Sequence, residues 1–304
     1  MAVNKQKKDH PFKNHKMPFP MMVFFSVVTF VFKILDIVSP KLAGRLALYF
    51  FMKPPQFGTP RREKKFRDEA SLSFITVRDR KISLRHWGDK SKPKVLLSHG
   101  WGGRCTQLHA FIQPLVDAGY CVLGFDIPGH GDSEGKASNM MDAASIIKEI
   151  ESQEGSFDAI IGHSFGSATT LLSINKFGVK VNKIILISCF ADIELVTTLF
   201  GSLFALKKTT IEAMKTYALK KYANNYNINW SWDGISPKNT IKTISAEILL
   251  IHDKKDHEVP FEQAEVLQAA APQAQLMTTT GLGHRKILMN AKVVKTTLEF
   301  ILRR

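Results

Sequence analysis

A chain of 304 residues is long enough to bury a full core as one large domain, or as one domain carrying an insertion. Its three cysteines, Cys105, Cys121 and Cys189, are too few and odd in number for a disulfide framework; each lies in or beside an apolar stretch, as buried free thiols of a reducing compartment do, and no Cys or His pair shows metal-ligand spacing. The net charge of +15 is uneven: residues 1–67 hold 14 Lys and Arg against 3 Asp and Glu, a balance of +11, and no nucleic-acid module accompanies them, so no nucleic-acid partner is expected.

The chain opens with Lys5, Lys7, Lys8, Lys13 and Lys16, then an apolar run of 15 residues from Pro18 to Phe32 that stops at Lys33. A spanning helix needs about 20 residues. No small-x-small cleavage site follows closely, which argues against a signal peptide. A second apolar segment, Leu42 to Phe51, follows Ser39-Pro40, and the basic run Arg61 to Arg67 closes the region. Residues 1–67 therefore read as a basic, apolar, helical extension that either rests on a membrane surface or packs on the protein's own domain. The expected location is cytoplasmic, with peripheral membrane contact through this extension.

From Leu72 the pattern becomes α/β. Ser73–Val77 and Ile82–Trp87 alternate around Asp79-Arg80 and predict an antiparallel hairpin. Val95–Ser98, Cys121–Phe125, Ala159–Ile161, Ile184–Ile187 and Ile248–Ile251 are short unbroken apolar runs of the kind found in buried parallel strands. Helices are predicted between them, among them Met141–Ile150 behind an N-cap near Ser138 or Asn139, and Phe261–Ala270 behind Pro260. The expected architecture is a mostly parallel sheet with helices on both faces, over residues 68–304, with its ligand site at the carboxyl ends of the strands. Between about residues 190 and 245 the strand pattern gives way to helical segments, with a capping box at Thr209-Thr210-Ile211-Glu212. This stretch also holds ten apolar and aromatic side chains, from Leu199 to Trp232, suited to an acyl chain or to a core of their own.

Gly162-His163-Ser164-Phe165-Gly166 stands between a predicted strand and a predicted helix, the context that a G-x-S-x-G match requires. A serine on so sharp a turn needs small neighbours two residues away on either side, and the helix start behind it supplies free N–H groups. Polar landmarks follow the other strands: His99-Gly100-Trp101-Gly102-Gly103, then Asp126 to Ser133, then His252 to Pro260, and finally Gly281-Leu282-Gly283-His284. Serine, aspartate and histidine thus occur in the order Ser164, Asp256, His284, with separations of 92 and 28 residues.

From Leu72 to the C-terminus these motifs, in this order, resemble the α/β-hydrolase family. The resemblance implies the α/β-hydrolase fold with a helical cap insertion, a catalytic triad of Ser164, Asp256 and His284, and an oxyanion hole from the backbone N–H groups of Trp101 and Phe165. Asp256 is preferred as the acid because Asp256-His257-Glu258-Val259-Pro260 looks like the family's D-x-x-V-P element; Asp253 and then Asp192 are the alternatives. His99, His130, His163, His252 and His257 read as structural, as does Asp126. No cofactor and no metal is implied. The expected activity is hydrolysis of carboxylic esters or thioesters with an apolar acyl part. The alternatives are a non-catalytic binding protein, or amidase, acyltransferase or carbon–carbon hydrolase chemistry on the same fold.

Overall fold

The computed structural model describes residues 19–222, 225–226 and 228–303, so Lys5 to Lys16 and Pro18 lie outside the described residues. The described residues open with helices α1 (Phe19–Val38), α2 (Pro40–Phe51) and α3 (Arg61–Glu69), then β1 (Ser71–Val77), β2 (Arg80–Trp87), β3 (Lys94–Ser98), α4 (Ile112–Asp117) and β4 (Cys121–Phe125). There follow α5 (Met140–Glu154), β5 (Phe157–His163), α6 (Phe165–Phe177), β6 (Val181–Ile187), α7 (Ile193–Leu203), α8 (Lys208–Tyr222) and the short α9 (Pro237–Thr240). The chain ends with β7 (Glu247–Asp253), α10 (Glu262–Ala270), β8 (Gln275–Thr279), the single turn α11 (Gly283–Lys286) and α12 (Ala291–Leu302).

Among the described residues, eight strands form one sheet in the order β1-β2-β4-β3-β5-β6-β7-β8. The pairs β1/β2 and β2/β4 are antiparallel and the rest are parallel. The apolar runs are unbroken because both faces of the sheet are covered, and the period of two divides them. Leu96, Ile160, Ile184 and Leu250 face one core with Ile146, Leu171 and Leu172 of α5 and α6. Val95, Leu97, Ile161, Ile185 and Ile251 face the other with Ile112, Leu115, Val293 and Phe300 of α4 and α12. Each such side chain, at or near zero exposure, contributes roughly 1.5–3 kcal/mol relative to leaving it in water.

The structure departs from the sequence-based expectation in four places. The hairpin turn is Arg78-Asp79, not Asp79-Arg80: both have positive φ, 51° and 60°, the conformation that a two-residue primed turn demands, and Val77 pairs with Arg80. Strand β8 carries no apolar run, since it is a half-exposed edge strand. Thr209 does not cap a helix, because α8 already begins at Lys208, and Thr210 turns its hydroxyl to Asp36 instead. Helix α1 continues five residues past Lys33, because one lysine does not end a helix whose apolar pattern resumes at Ile34 and Leu35.

The extension packs on the helices between β6 and β7. Val28 and Phe32 of α1, Ala43, Ala47 and Leu48 of α2, and Phe204, Met214 and Ala218 form a third apolar cluster. Helices α2 and α8 cross so closely that a Cβ on Gly44 would stand 2.7 Å from the Ala213 carbonyl carbon. Most of the aromatic side chains noted in this region, including Phe200, Tyr217, Tyr222, Trp230 and Trp232, are spent on this packing. Helix α3 is docked on the body as well: Trp87 Nε1 donates to Phe66 O at 2.8 Å, and Arg67 pairs with Asp132.

Candidate active site

Ser164 stands between β5 and α6 with φ 53° and ψ −114°, a strained backbone that only close packing can hold. Its own amide donates to Ile187 O at 2.8 Å, which pins the turn to the end of β6. The two flanking glycines are obligatory. A Cβ on Gly162 would lie 2.6 Å from Ser167 Cα, and one on Gly166 would lie 2.0 Å from Ser98 O. The elbow is therefore built by pressing the first turn of α6 against the end of β3.

Asp256 and His284 come from the loops that follow the neighbouring strands β7 and β8. His284 Nδ1 donates to Asp256 Oδ2 at 2.7 Å, and both residues are buried. Asp256 Oδ1 accepts from the amides of Glu258 and Val259, each at 2.9 Å, which fixes the carboxylate plane. Burial raises its pKa, but the His284 hydrogen bond and charge and the Val259 amide outweigh burial and leave it lowered. A carboxylate held ionised against Nδ1 leaves Nε2 of His284 as the free, basic nitrogen. No hydrogen bond joins that nitrogen to the Ser164 hydroxyl in this structure, and such contacts commonly tighten only with substrate bound.

The alternative acids have other work. The Asp253 carboxylate accepts from Thr279 Oγ1 at 2.7 Å and from the amides of Lys255, Gly281 and Leu282 at 2.8, 3.1 and 2.9 Å. It ties the loop that carries Asp256 to the loop that carries His284. Against the raising effect of burial, these bonds hold its pKa at about 2. Asp192 caps α7 through the Glu194 amide at 3.0 Å and pairs with Lys238.

The Trp101 loop is shaped by its glycines and two neutral histidines. Gly100 N donates to Gln107 Oε1 at 3.1 Å, Gly103 N to Gly100 O at 2.9 Å and Gly102 N to His130 Nε2 at 3.0 Å. The Trp101 and Phe165 amides have no such partner among the described residues. Their rings lie 5.1 Å apart, and both residues, like Ser164, are half-buried. Two N–H groups left free, one of them at a helix N-terminus, are the kind of donors that can stabilise a negative oxygen.

His163 does more than pack. Its Nε2 donates to the His284 backbone carbonyl at 2.9 Å, and the two rings are 4.7 Å apart. It positions the segment that carries His284, across 121 residues of sequence that no local motif spans. His99 is locked in one tautomer between Gly100 O and the Ile127 amide, His130 reaches Pro128 O, and His252 donates to Val259 O. Asp126 binds the amides of Cys105 and Asp132 and the Ser83 hydroxyl.

Burial pushes the pKa values of His99, His163 and His252 down, and that of His130 to about 3. A buried neutral base takes up protons more readily once unfolded. Its stabilising contribution is therefore complete above about pH 6.5 and declines as the pH falls toward about 3. The depressed carboxylates add a further loss only below about pH 4. Urea unfolding at pH 7.5 and pH 5.0 is expected to show a lower midpoint at pH 5.0; equal midpoints would contradict the neutral assignment of these histidines.

A strap from Met52 to Thr59 joins α2 to the body and passes over this loop. Ser138 N donates to Met52 O at 2.9 Å, Gln56 Nε2 donates to Gly129 O, and Arg104 donates to Phe57 O at 2.7 Å. The ring of Pro55 lies so close to Gly102 that a Cβ there would meet it at 3.0 Å. A polar cavity of about 270 Å³ lies beside the strap, lined in part by Thr59, Arg67, Arg85, Arg104 and Asp132. Its guanidinium groups are already bonded: Arg67 and Arg85 to Asp132, and Arg104 to Thr59. They fasten the strap and α3.

A mostly parallel sheet whose fifth strand ends in a positive-φ serine at a helix start, with a buried Asp–His pair beyond the last two strands, defines an α/β-hydrolase fold. Comparisons with known proteins agree. Residues 89–233 match the profile of the family described as serine aminopeptidase, S33, and residues 217–303 that of the TAP-like proteins. The chain is 29% identical over 110 residues to a probable serine hydrolase of Drosophila melanogaster, covering 34% of this chain and 33% of that protein. It is 26% identical over 145 residues to the monoglyceride lipase of Rattus norvegicus, covering 44% and 48%. These matches span only a third to a half of the relatives' length. In structure, the chain resembles an esterase from Exiguobacterium antarcticum, with 21% identity and a TM-score of 0.60 over 77% of this chain and 100% of that one. The chain has the α/β-hydrolase fold, and the sequence relatives it matches include serine hydrolases and lipases.

Proposed function

We propose that the protein hydrolyses carboxylic esters or thioesters with an apolar acyl part, through Ser164, His284 and Asp256. The observation that carries this reading is the 2.7 Å Asp256–His284 pair at the same carboxyl end of the sheet as the strained Ser164 elbow. The Ser164 oxygen attacks the acyl carbon while His284 Nε2 takes its proton, and the resulting oxyanion faces the Trp101 and Phe165 amides. Collapse breaks the acyl–oxygen or acyl–sulfur bond, His284 returns the proton to the leaving group, and water then hydrolyses the acyl-enzyme by the same route. Asp256 holds the imidazole and stabilises its charged form. The apolar acyl preference is supported by the Trp101 and Phe165 rings beside Ser164 and by the likeness to a monoglyceride lipase. Contact of residues 1–67 with a membrane surface belongs to the same reading.

A panel of p-nitrophenyl esters of increasing chain length tests it, with Asp256→Asn and Asp253→Asn alongside the native protein. Native activity is expected to rise from acetate toward longer chains. Asp256→Asn is expected to lower kcat by about 10⁴, since an amide favours the wrong imidazole tautomer. Asp253→Asn is expected to act mainly on the fold, costing about 1–3 kcal/mol of stability through buried amides left poorly paired. A larger loss of kcat in Asp253→Asn than in Asp256→Asn would reverse the assignment of the acid.

A further inference from the structure

We propose that the outer face of α1 is a lipid-binding surface that lies in the plane of an anionic membrane, and that α1 does not cross the membrane. The inference rests on reading residues 1–67 as the membrane-contacting part of the chain, and it fixes the surface and the mode. Among the described residues α1 is the one helix long and apolar enough to cross a membrane, since its 20 residues extend about 30 Å. Its two faces are used differently. Val28, Phe32 and Asp36, four residues apart, are buried. Phe24 meets Phe50 at 6.2 Å, Phe25 meets Phe204 at 5.4 Å, Phe32 meets Phe50 at 6.3 Å, and Asp36 bonds the Thr210 hydroxyl of α8.

The opposite stripe is bare. Val23, Val27, Phe30, Ile34 and Ile37, spaced by four and three, are 46%, 55%, 63%, 46% and 80% exposed. At 3.6 residues per turn this stripe stands diametrically across from the buried one. Helix α1 is held at Val28, Phe32 and Asp36, the last a buried carboxylate bonded to α8, so it could thread hydrocarbon only by giving up these contacts or by carrying α2 and α8 with it. A helix with one face on protein and one bare apolar face suits the membrane interface.

Charge selects the partner. Lys33 borders the stripe and, with Lys41, Arg45 and Lys53 of the adjoining segment, is exposed. Residues 1–67 carry +11 of the protein's +15. An apolar face flanked by cations matches an anionic lipid surface better than a neutral one or a second copy of a basic protein. The surface is also tethered to the site. Met52 ends α2 and Pro55 lies against Gly102, so at most about 11 Å of chain separates them. Esters presented at a membrane surface are therefore the substrates this placement serves.

The test uses the full chain with sedimenting vesicles of neutral phosphatidylcholine, and of the same lipid with 30% phosphatidylglycerol. The native protein is expected to bind the anionic vesicles at least tenfold more tightly, to lose most binding in 0.5 M salt, and to be released by alkaline carbonate. The variant V27E/F30E/I34E changes only exposed side chains and is expected to lose binding at least tenfold with its melting temperature kept. Deleting the helix would instead uncover the third apolar cluster. Unchanged binding by the variant, equal binding to neutral vesicles, or retention through carbonate would each overturn the proposal. So would loss of a dimer in the variant with no vesicle binding by the native protein, which would assign the stripe to a second copy. Labelling of Ser164 by a fluorophosphonate, followed in parallel, reports the hydrolase reading independently.

Discussion

Ser164→Ala is expected to lower kcat on a soluble ester by about 10⁶, with the melting temperature little changed. The magnitude follows from what remains. Without the Oγ nucleophile no acyl-enzyme forms, and His284 has no hydroxyl proton to accept. The free amides of Trp101 and Phe165 would still polarise a bound carbonyl, and comparable sites retain about 10³–10⁴ over water by such binding alone. The fold should hold because the elbow is fixed by backbone contacts, the Ser164 amide to Ile187 O and the Ala168 amide to Ser164 O, and not by the side chain. Kinetics beside a thermal melt separate the two effects. A variant that kept more than a hundredth of native kcat would remove Ser164 from the mechanism.

Gly166→Ala is expected to have the largest effect on stability. The added methyl would stand 2.0 Å from Ser98 O, 2.5 Å from Ser98 C and 2.7 Å from His99 O, all of them backbone atoms. Ser98 cannot retreat, because it is the last residue of β3 and is paired with Gly162 of β5. Relief therefore requires α6 to move off the sheet, taking the Phe165 amide with it. The cost belongs with the large, diagnostic losses above about 4 kcal/mol, equivalent to roughly 10 °C or more in melting temperature. Gly178→Ala is the control. Gly178 has a positive φ of 67°, which Gly166 lacks, but a Cβ there meets nothing within 4 Å, so only about 1 kcal/mol of backbone strain is expected. A loss in Gly166→Ala no larger than in Gly178→Ala would mean that the crossing at Ser98 does not hold α6 tightly.

Legibility in the sequence followed the range of each interaction. The parallel strands were readable because burial on both faces makes Val95–Leu97 or Ile184–Ile187 uniformly apolar. The Ser164 elbow was readable because its steric demand falls on residues two away. Strand β8 was not, because a half-exposed edge strand such as Gln275–Thr279 needs no apolar run. The far end of α1 is hidden in the sequence because Lys33 interrupts the apolar run, although a lysine at the edge of an apolar face costs a helix little. The ranking of Asp256 above Asp253 followed a resemblance alone. Its physical reason, that Asp253 is consumed by Thr279, Gly281 and Leu282, depends on contacts 26 to 29 residues away. The bond from His163 to His284 O and the strap over Gly102 are likewise long-range, and no local pattern records them.

The central claim, that Ser164 is a nucleophile activated by His284 and Asp256, is tested most directly by reacting the folded protein with a fluorophosphonate and mapping the modified peptide. The account predicts one adduct per chain, on Ser164, formed quickly in the native protein, far more slowly in Asp256→Asn and His284→Ala, and not at all in Ser164→Ala. No adduct on the folded native protein, or an adduct on another residue, would contradict it.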